Sequence, residues 1–154
     1  YGTVVDAFEK LCSRGVDVAL IMLGKRGWNV KALEKRIERH RENGKRLFWL
    51  EGAADGDVHY LLKNATASIQ ASVTEGVGLP VVEAGGLGVP LLLSDIPVFH
   101  EVAGDDALYF PVGASDVLAS VIAQLVQSNA WKHPKTIQAM TWRESAAKLA
   151  DILL

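Results

Sequence analysis

The chain has 154 residues, 49% hydrophobic and 22% charged, enough for one domain with a real core and too apolar for a disordered chain. Its net charge of −2 gives no global attraction to nucleic acid, and no apolar run approaches the ~20 residues that span a bilayer. One cysteine, Cys12, cannot form an internal disulfide, which fits a reducing compartment, and no secretory signal is present.

The chain opens on Tyr1 rather than Met and runs almost at once into a helix, so an excised piece of a longer protein is expected. Thr3 is placed to cap that helix. Val4, Val5, Phe8, Leu11 and Cys12 recur on one face of it, and Gly15 ends it. Among those neighbours Cys12 reads as a buried, inert thiol. The nearly continuous apolar run Asp17–Gly24 reads as a strand covered on both faces of a parallel sheet. Gly24-Lys-Arg-Gly27 is a turn that lacks the third glycine of a dinucleotide fingerprint. Asn29 is placed to cap a helix that turns Val30, Leu33 and Ile37 inward and ends at Asn43-Gly44.

Charge is uneven along this part. From Lys25 to Arg46 there are nine Lys/Arg and three Glu, a local +6 against −8 elsewhere. The simplest reading is a solvated helix face; the sharper one is a patch for an acidic surface or anionic lipid. Arg46–Gly52 reads as the second strand. Asp55 or Asp57 then caps an apolar helix carrying Val58, Leu61 and Leu62, a better account of the two aspartates than a divalent ion. His59 has no His or Cys at metal-ligand spacing.

Ala67–Ser72 reads as a third strand, and it delivers the chain into Glu75-Gly-Val-Gly-Leu-Pro-Val-Val-Glu83, the stretch around which the sequence is organised. Gly76 and Gly78 let the backbone turn sharply and approach a ligand, and Pro80 suits a helix start. A helix beginning at Leu79-Pro80 would aim its free N–H groups and positive dipole end at that loop, a ready site for phosphate. Glu75 is expected just outside this helix and Glu83 in its first turn. Gly85 and Gly86 weaken the helix interior, and close approach of the helix to the sheet is the expected compensation. Leu91–Ser94 is a fourth strand. A short helix follows from Asp95-Ile-Pro97 to Val102, with His100 and Glu101 lacking evident partners. Ala107–Phe110 is a fifth strand. Ala114–Ser128 is an amphipathic helix with Val117, Val121, Ile122 and Leu125 inward. A last helix carries Trp142, Ala146, Leu149, Ile152 and Leu153. The alternation argues for a parallel α/β sandwich, in which ligands bind beyond the C-terminal strand ends, where the Glu75 loop lies.

The run from Ala71 to Ala84, with Gly88-Val-Pro90, Ser94-Asp95 and Glu101-Val102, resembles the donor-binding, C-terminal half of a retaining glycosyltransferase of family 4. Leu23–Trp28 and Lys45–Gly52 look especially like bacterial O-antigen mannosyltransferases. The resemblance implies a Rossmann-like parallel sheet flanked by helices, one half of the two-domain GT-B fold. Its first strand, the basic pair after that strand and the acceptor-binding domain would precede Tyr1 and are absent, so residues 1–154 form a single donor-binding domain. By the same resemblance Glu75 lies against the reacting end of the donor sugar. The backbone N–H groups of Gly76, Val77, Gly78 and Leu79 hold the diphosphate. Glu83 accepts from the ribose, and Gly52 and Ala53 face the base. No metal or other cofactor is expected, and GDP-mannose is the expected donor.

The implied function is transfer of a hexose, mannose above all, from a nucleotide-diphosphate sugar to a growing surface glycan. The implied acceptor is a glycan or lipid-linked sugar held by the other domain, and nucleic acid is not a partner. The implied place is the cytoplasm, and the resemblance allows peripheral association of the full protein with the inner face of the membrane. The fragment alone is expected to be inactive and to bind donor weakly. Two departures stand out: Val77 replaces an aromatic residue usual between the loop glycines, and Ala84-Gly-Gly-Leu-Gly88 replaces the usual run of small residues. Rival readings are a nucleotide-sugar epimerase of similar build and a non-catalytic scaffold in a polysaccharide-assembly complex. A glycosidase is less suited, because it needs carboxylates on opposing sides of a bond. A NAD site lacks its glycine fingerprint.

Overall fold

Apolar runs too short to be helices alternate with amphipathic stretches, and the computed structural model turns them into parallel strands joined by helical crossovers. It describes residues 1–25, 27, 30–135, 137 and 142–153, the side chains of 142 and 153 excepted. In chain order these form α1 (Gly2–Ser13), β1 (Leu20–Leu23), α2 (Lys31–Glu38), β2 (Leu47–Leu50), α3 (Asp55–Asn64), β3 (Ser68–Gln70), α4 (Leu79–Gly86), β4 (Leu91–Ser94), α5 (Pro97–Ala103), a 3-10 turn (Gly104–Asp106), β5 (Leu108–Phe110), α6 (Ser115–Ser128) and α7 (Trp142–Leu153). Every strand pair is parallel, so the fold is α/β with helix-flanked parallel strands, as the sequence implies.

The strands form two sheets rather than one. In the first, β1 pairs with β2, with Leu20 opposite Leu47 and Leu23 opposite Leu50. In the second the order is β3-β4-β5, with Ser68 opposite Leu91 and Leu92 opposite Leu108. Among the described residues β1 and β3 each keep one edge without a strand partner.

Strand β4 is the centre of the larger sheet, and all four of its residues are buried. Alternation sends Leu91 and Leu93 into a core with Val81, Ala84 and Phe99, and Leu92 into another with Phe110 and Leu118. Helix α1 shares in two cores at once. Its Val4, Ala7 and Leu11 join the Leu92 core, while Val5, Phe8 and Cys12 join Met22, Ile37 and Leu47 beside the smaller sheet. The inward face read from the sequence is therefore correct for α1, and Gly15 does close it. Burial raises the pKa of the Cys12 thiol, with the nearby Arg46 charge opposing.

Several local expectations give way. Tyr1, not Thr3, holds the capping position of α1, without a side-chain bond. Asn29 and Arg26 lie outside the described residues, and Val30 occupies the cap of α2. Strand β1 is not covered on both faces, because Ile21 is 43% exposed and Met22 alone is buried. Ala54 caps α3; Asp55 is its first residue, and Asp57 reaches back so that its Oδ2 accepts the Ala54 N–H at 3.2 Å. An alanine cap has no acceptor to offer in return, so only one half of a capping box is made. On α6, Val117 faces solvent and Leu118 is fully buried, because the inward stripe runs through Ser115, Leu118, Ala119, Ile122 and Leu125 and leaves Val117 to one side. On α7 the side chains of Trp142 and Leu153 are outside the description, while Leu149 and Ile152 are exposed. His100 does have partners: its Nε2 lies 2.7 Å from Asp95 Oδ1, and its ring stacks on Tyr109 at 3.9 Å.

The basic stretch is partly neutralised by its surroundings. Arg36 grips Glu9 with two bonds, at 3.0 and 2.6 Å, and pairs with Asp6 at 2.6 Å, tying α2 to α1. Arg46 pairs with Glu42 at 3.0 Å and with Asp17 at 3.6 Å. Among the described residues no helix is long and apolar enough to cross a membrane.

Candidate functional site

The parallel ladder ends at Gln70 on β3 and Ser94 on β4, and the chain leaving β3 runs along that edge as an exposed loop. Ser94 is fully buried, and its hydroxyl donates to the Ser72 carbonyl at 2.5 Å. The Ser72 hydroxyl in turn donates to Glu75 Oε1 at 2.7 Å. Glu75 itself is exposed, and its Oε2 has no partner among the described residues.

Four residues later the loop becomes a helix through a left-handed residue. Gly78 has φ 73° and ψ 45° and caps α4; its carbonyl accepts Val81 N–H at 2.8 Å and Val82 N–H at 3.3 Å. A Cβ here would be strained by that φ and would also meet the Phe99 ring at 3.0 Å, so glycine is required twice over. Pro80 sits in the first helical turn, where its missing N–H donor breaks no helical hydrogen bond. The amides of Gly76, Val77, Gly78 and Leu79 have no hydrogen-bond partner among the described residues. Gly76, Val77 (60%) and Leu79 (64%) are exposed, while Gly78 between them is buried against Phe99. Amides without a protein partner and the positive end of α4 thus lie together beside an exposed loop, a combination suited to an anion.

Glu83 is not in the first turn, as expected, but opens the second, because α4 starts at Leu79. It is exposed and lines a cavity of about 750 Å³ between α3 and α4, shared with Asp55, Val58, His59 and Leu62. Gly52 and Ala53 lie just past the end of β2, with Gly52 at φ 67°, but they do not line this cavity; Asp55, three residues beyond Gly52, does. The structure therefore groups Glu75 with Gly76–Leu79 on one loop, sets Glu83 farther along the same helix, and brings the Gly52 loop near through α3.

The weak interior of α4 is compensated from an unexpected side. Gly85 packs on Ile137, in the segment between α6 and α7, rather than on a strand, and Gly86 meets nothing within 4 Å.

Ser72, Ser94, Asp55 and His59 were not singled out as site residues from sequence. In the sequence Asp55 is weighed as a helix cap or a metal ligand and His59 only as a metal ligand, and Ser72 and Ser94 appear only within strands and the resembling runs. Among the described residues no group of three or more His, Cys, Asp or Glu could hold a metal ion.

The family described as "Glycosyl transferases group 1" matches residues 1–148. The chain is 38% identical over 149 residues to the "Serotype-specific mannosyltransferase WbdA" of Escherichia coli, covering 95% of this chain and 18% of that protein. It is 32% identical over 121 residues to the "O-antigen chain mannosyltransferase B" of Escherichia coli, covering 79% of this chain and 32% of that protein. It thus spans 18% and 32% of the length of these two relatives. Among solved structures, Anabaena Alr3699/HepE in complex with UDP has a TM-score of 0.70 at 22% identity, over 85% of this chain and 36% of that one. The pneumococcal O-GlcNAc transferase GtfA in complex with UDP and GlcNAc has a TM-score of 0.64 at 21% identity, over 99% of this chain and 29% of that one.

Proposed function

The chain belongs to the group 1 glycosyl transferases, and from that premise we propose that it is the donor-binding domain of a retaining hexosyltransferase. The reaction moves mannose from a nucleotide-diphosphate sugar, GDP-mannose first, to a growing surface glycan. The names of the Escherichia coli relatives support mannose and the O-antigen, and the UDP in two structural neighbours supports a nucleotide-sugar. The much greater length of the relatives is in keeping with an acceptor-binding domain elsewhere in a longer polypeptide. On this reading the whole works at the cytoplasmic face of the membrane on a glycan or lipid-linked acceptor.

One observation carries the reading: the amides of Gly76–Leu79 stand free at the start of α4, with Glu75 before them and Glu83 after. Cleaving a sugar–phosphate bond puts negative charge on the departing diphosphate and positive character on the sugar. The fixed amides meet the first and the Glu75 carboxylate the second, both without reorganisation during the reaction. Glu83, a turn further on, accepts hydrogen bonds from the ribose hydroxyls, and the Gly52–Ala53 turn faces the base. On this reading the amides supply the charge stabilisation, and no metal is assigned to the step.

The test is made on the full-length protein. Titration with GDP, UDP and ADP should give saturable binding, tightest for one of them and weakened about tenfold or more by Glu83→Ala, in line with one lost hydrogen bond to a charged group. Glu75→Gln should keep nucleotide affinity and lose mannosyl transfer. Absence of nucleotide binding would favour the scaffold reading, and epimerisation of the donor without acceptor would favour an epimerase.

A further inference from the structure

We propose that Ser72 is a positioning residue for the transfer reaction, and that Ser94 holds Ser72 in place to act as one. The inference rests on the role given to Glu75 above and deepens it. A carboxylate that must meet developing positive charge has to be held in one rotamer before the charge appears, since a mobile group reorganises at the moment of reaction. Glu75 is exposed on a loop with no ladder bonds of its own. Its orientation therefore depends on what grips it.

The grip is a two-step relay. Strand pairing stops at Gln70, so the Ser72 carbonyl has no strand to bond to. Ser94, at the end of the neighbouring strand and 22 residues on, supplies the missing donor from a fully buried hydroxyl at 2.5 Å. With its backbone pinned to the sheet, Ser72 directs its own hydroxyl to Glu75 Oε1 at 2.7 Å. That bond uses one carboxylate oxygen and leaves Oε2 free to face the sugar. A loop carboxylate is thereby referred to the most buried strand in the molecule. Ser72 and Glu75 are three positions apart, so the bond is local in sequence, but its accuracy is inherited from β4.

Four forms of the full-length protein test this: wild type, Ser72→Ala, Glu75→Gln and the double variant, with Ser72→Thr as the conservative control. Ser72→Ala is expected to lower kcat by about tenfold, the scale of a reactive group set slightly out of place. KM for donor and GDP affinity should stay within twofold, because neither the amides nor Glu83 is touched. Ser72→Thr should recover most of the rate. In the Glu75→Gln background, Ser72→Ala should add nothing. If Glu75→Gln abolishes transfer while Ser72→Ala leaves kcat unchanged, the positioning role is wrong and the Glu75 reading survives. If Glu75→Gln leaves transfer intact, the Glu75 reading itself has failed. If Ser72→Ala lowers GDP affinity together with kcat, the serine shapes the loop generally, and the specific role is also wrong.

Discussion

Ile137 occupies the space a side chain at Gly85 would need: a Cβ built there falls 2.7 Å from its Cδ1, 2.9 Å from its Cγ2 and 3.0 Å from its Cβ. Because the Ile137 Cβ is itself among the close atoms, no rotamer change clears the clash. Alanine would gain about 1 kcal/mol as a helix former, but overpacking of this kind costs roughly 1–3 kcal/mol. Gly85→Ala is therefore expected to lower stability in urea, with Ile137→Ala in the same background restoring part of the loss. A more stable Gly85→Ala protein would show that the segment after α6 yields easily.

Gly78 and Gly76 should behave oppositely although they share one loop. At Gly78 a Cβ meets both an unfavourable φ and the Phe99 ring, whereas at Gly76 it meets nothing within 4 Å. Gly78→Ala should cost about 1–2 kcal/mol of stability and weaken nucleotide-diphosphate binding by disturbing the α4 start. Gly76→Ala should stay within about 0.5 kcal/mol of wild type. Unfolding curves for the two variants make the comparison directly.

The Tyr109 hydroxyl closes the end of α5 by donating towards the carbonyls of Gly104 at 2.8 Å and Phe99 at 3.2 Å. Burial, and then the charges of Asp105 and Asp95, hold its phenol above the usual pKa. A group whose folded pKa is raised stabilises the protein below its unfolded value and loses that contribution as pH climbs through the folded one. Tyr109→Phe should cost about 1 kcal/mol near neutral pH. The gap from wild type should narrow above about pH 10, where the unfolded phenol ionises. A gap that widened with pH would contradict the assignment.

Cys12 is 8% exposed and its thiol is raised by that burial, so little thiolate forms in the native state. Iodoacetamide at mildly alkaline pH should modify it no faster than the chain opens. Labelling should accelerate in step with urea-induced unfolding measured by fluorescence. Prompt labelling of the native protein would mean that α1 lifts away readily.

How much of this was legible in the sequence depended on the range of the interaction involved. The face of α1 with Val4, Val5, Phe8 and Leu11 followed from periodicity alone, and β4 was located to the residue because Pro90 and Asp95 bound a run of leucines. The free amides before α4 were readable too, since Gly78 and Pro80 determine the local backbone. Glu83 was misplaced by a turn boundary, and Val117 because it lies to one side of the stripe that Leu118, Ile122 and Leu125 bury. What could not be read were contacts made across the chain. Ser94 to Ser72 and Gly85 to Ile137 join residues 22 and 52 apart, and neither leaves a pattern in its own neighbourhood. Ile21 looked buried because an apolar run says nothing about which cover it receives.

Helix α1 bears on both sheets, with one stripe of side chains in each of two cores. The Gly52 turn hangs from the smaller sheet and the Glu75 loop from the larger, and on the proposed reading they address opposite ends of one elongated molecule. Their spacing is then a matter of carpentry: a beam that touches neither end sets the gauge between them. Trimming Phe8 or Leu11 should then loosen that gauge while leaving every residue of both turns in place, and on the proposed reading nucleotide-sugar affinity would fall with it.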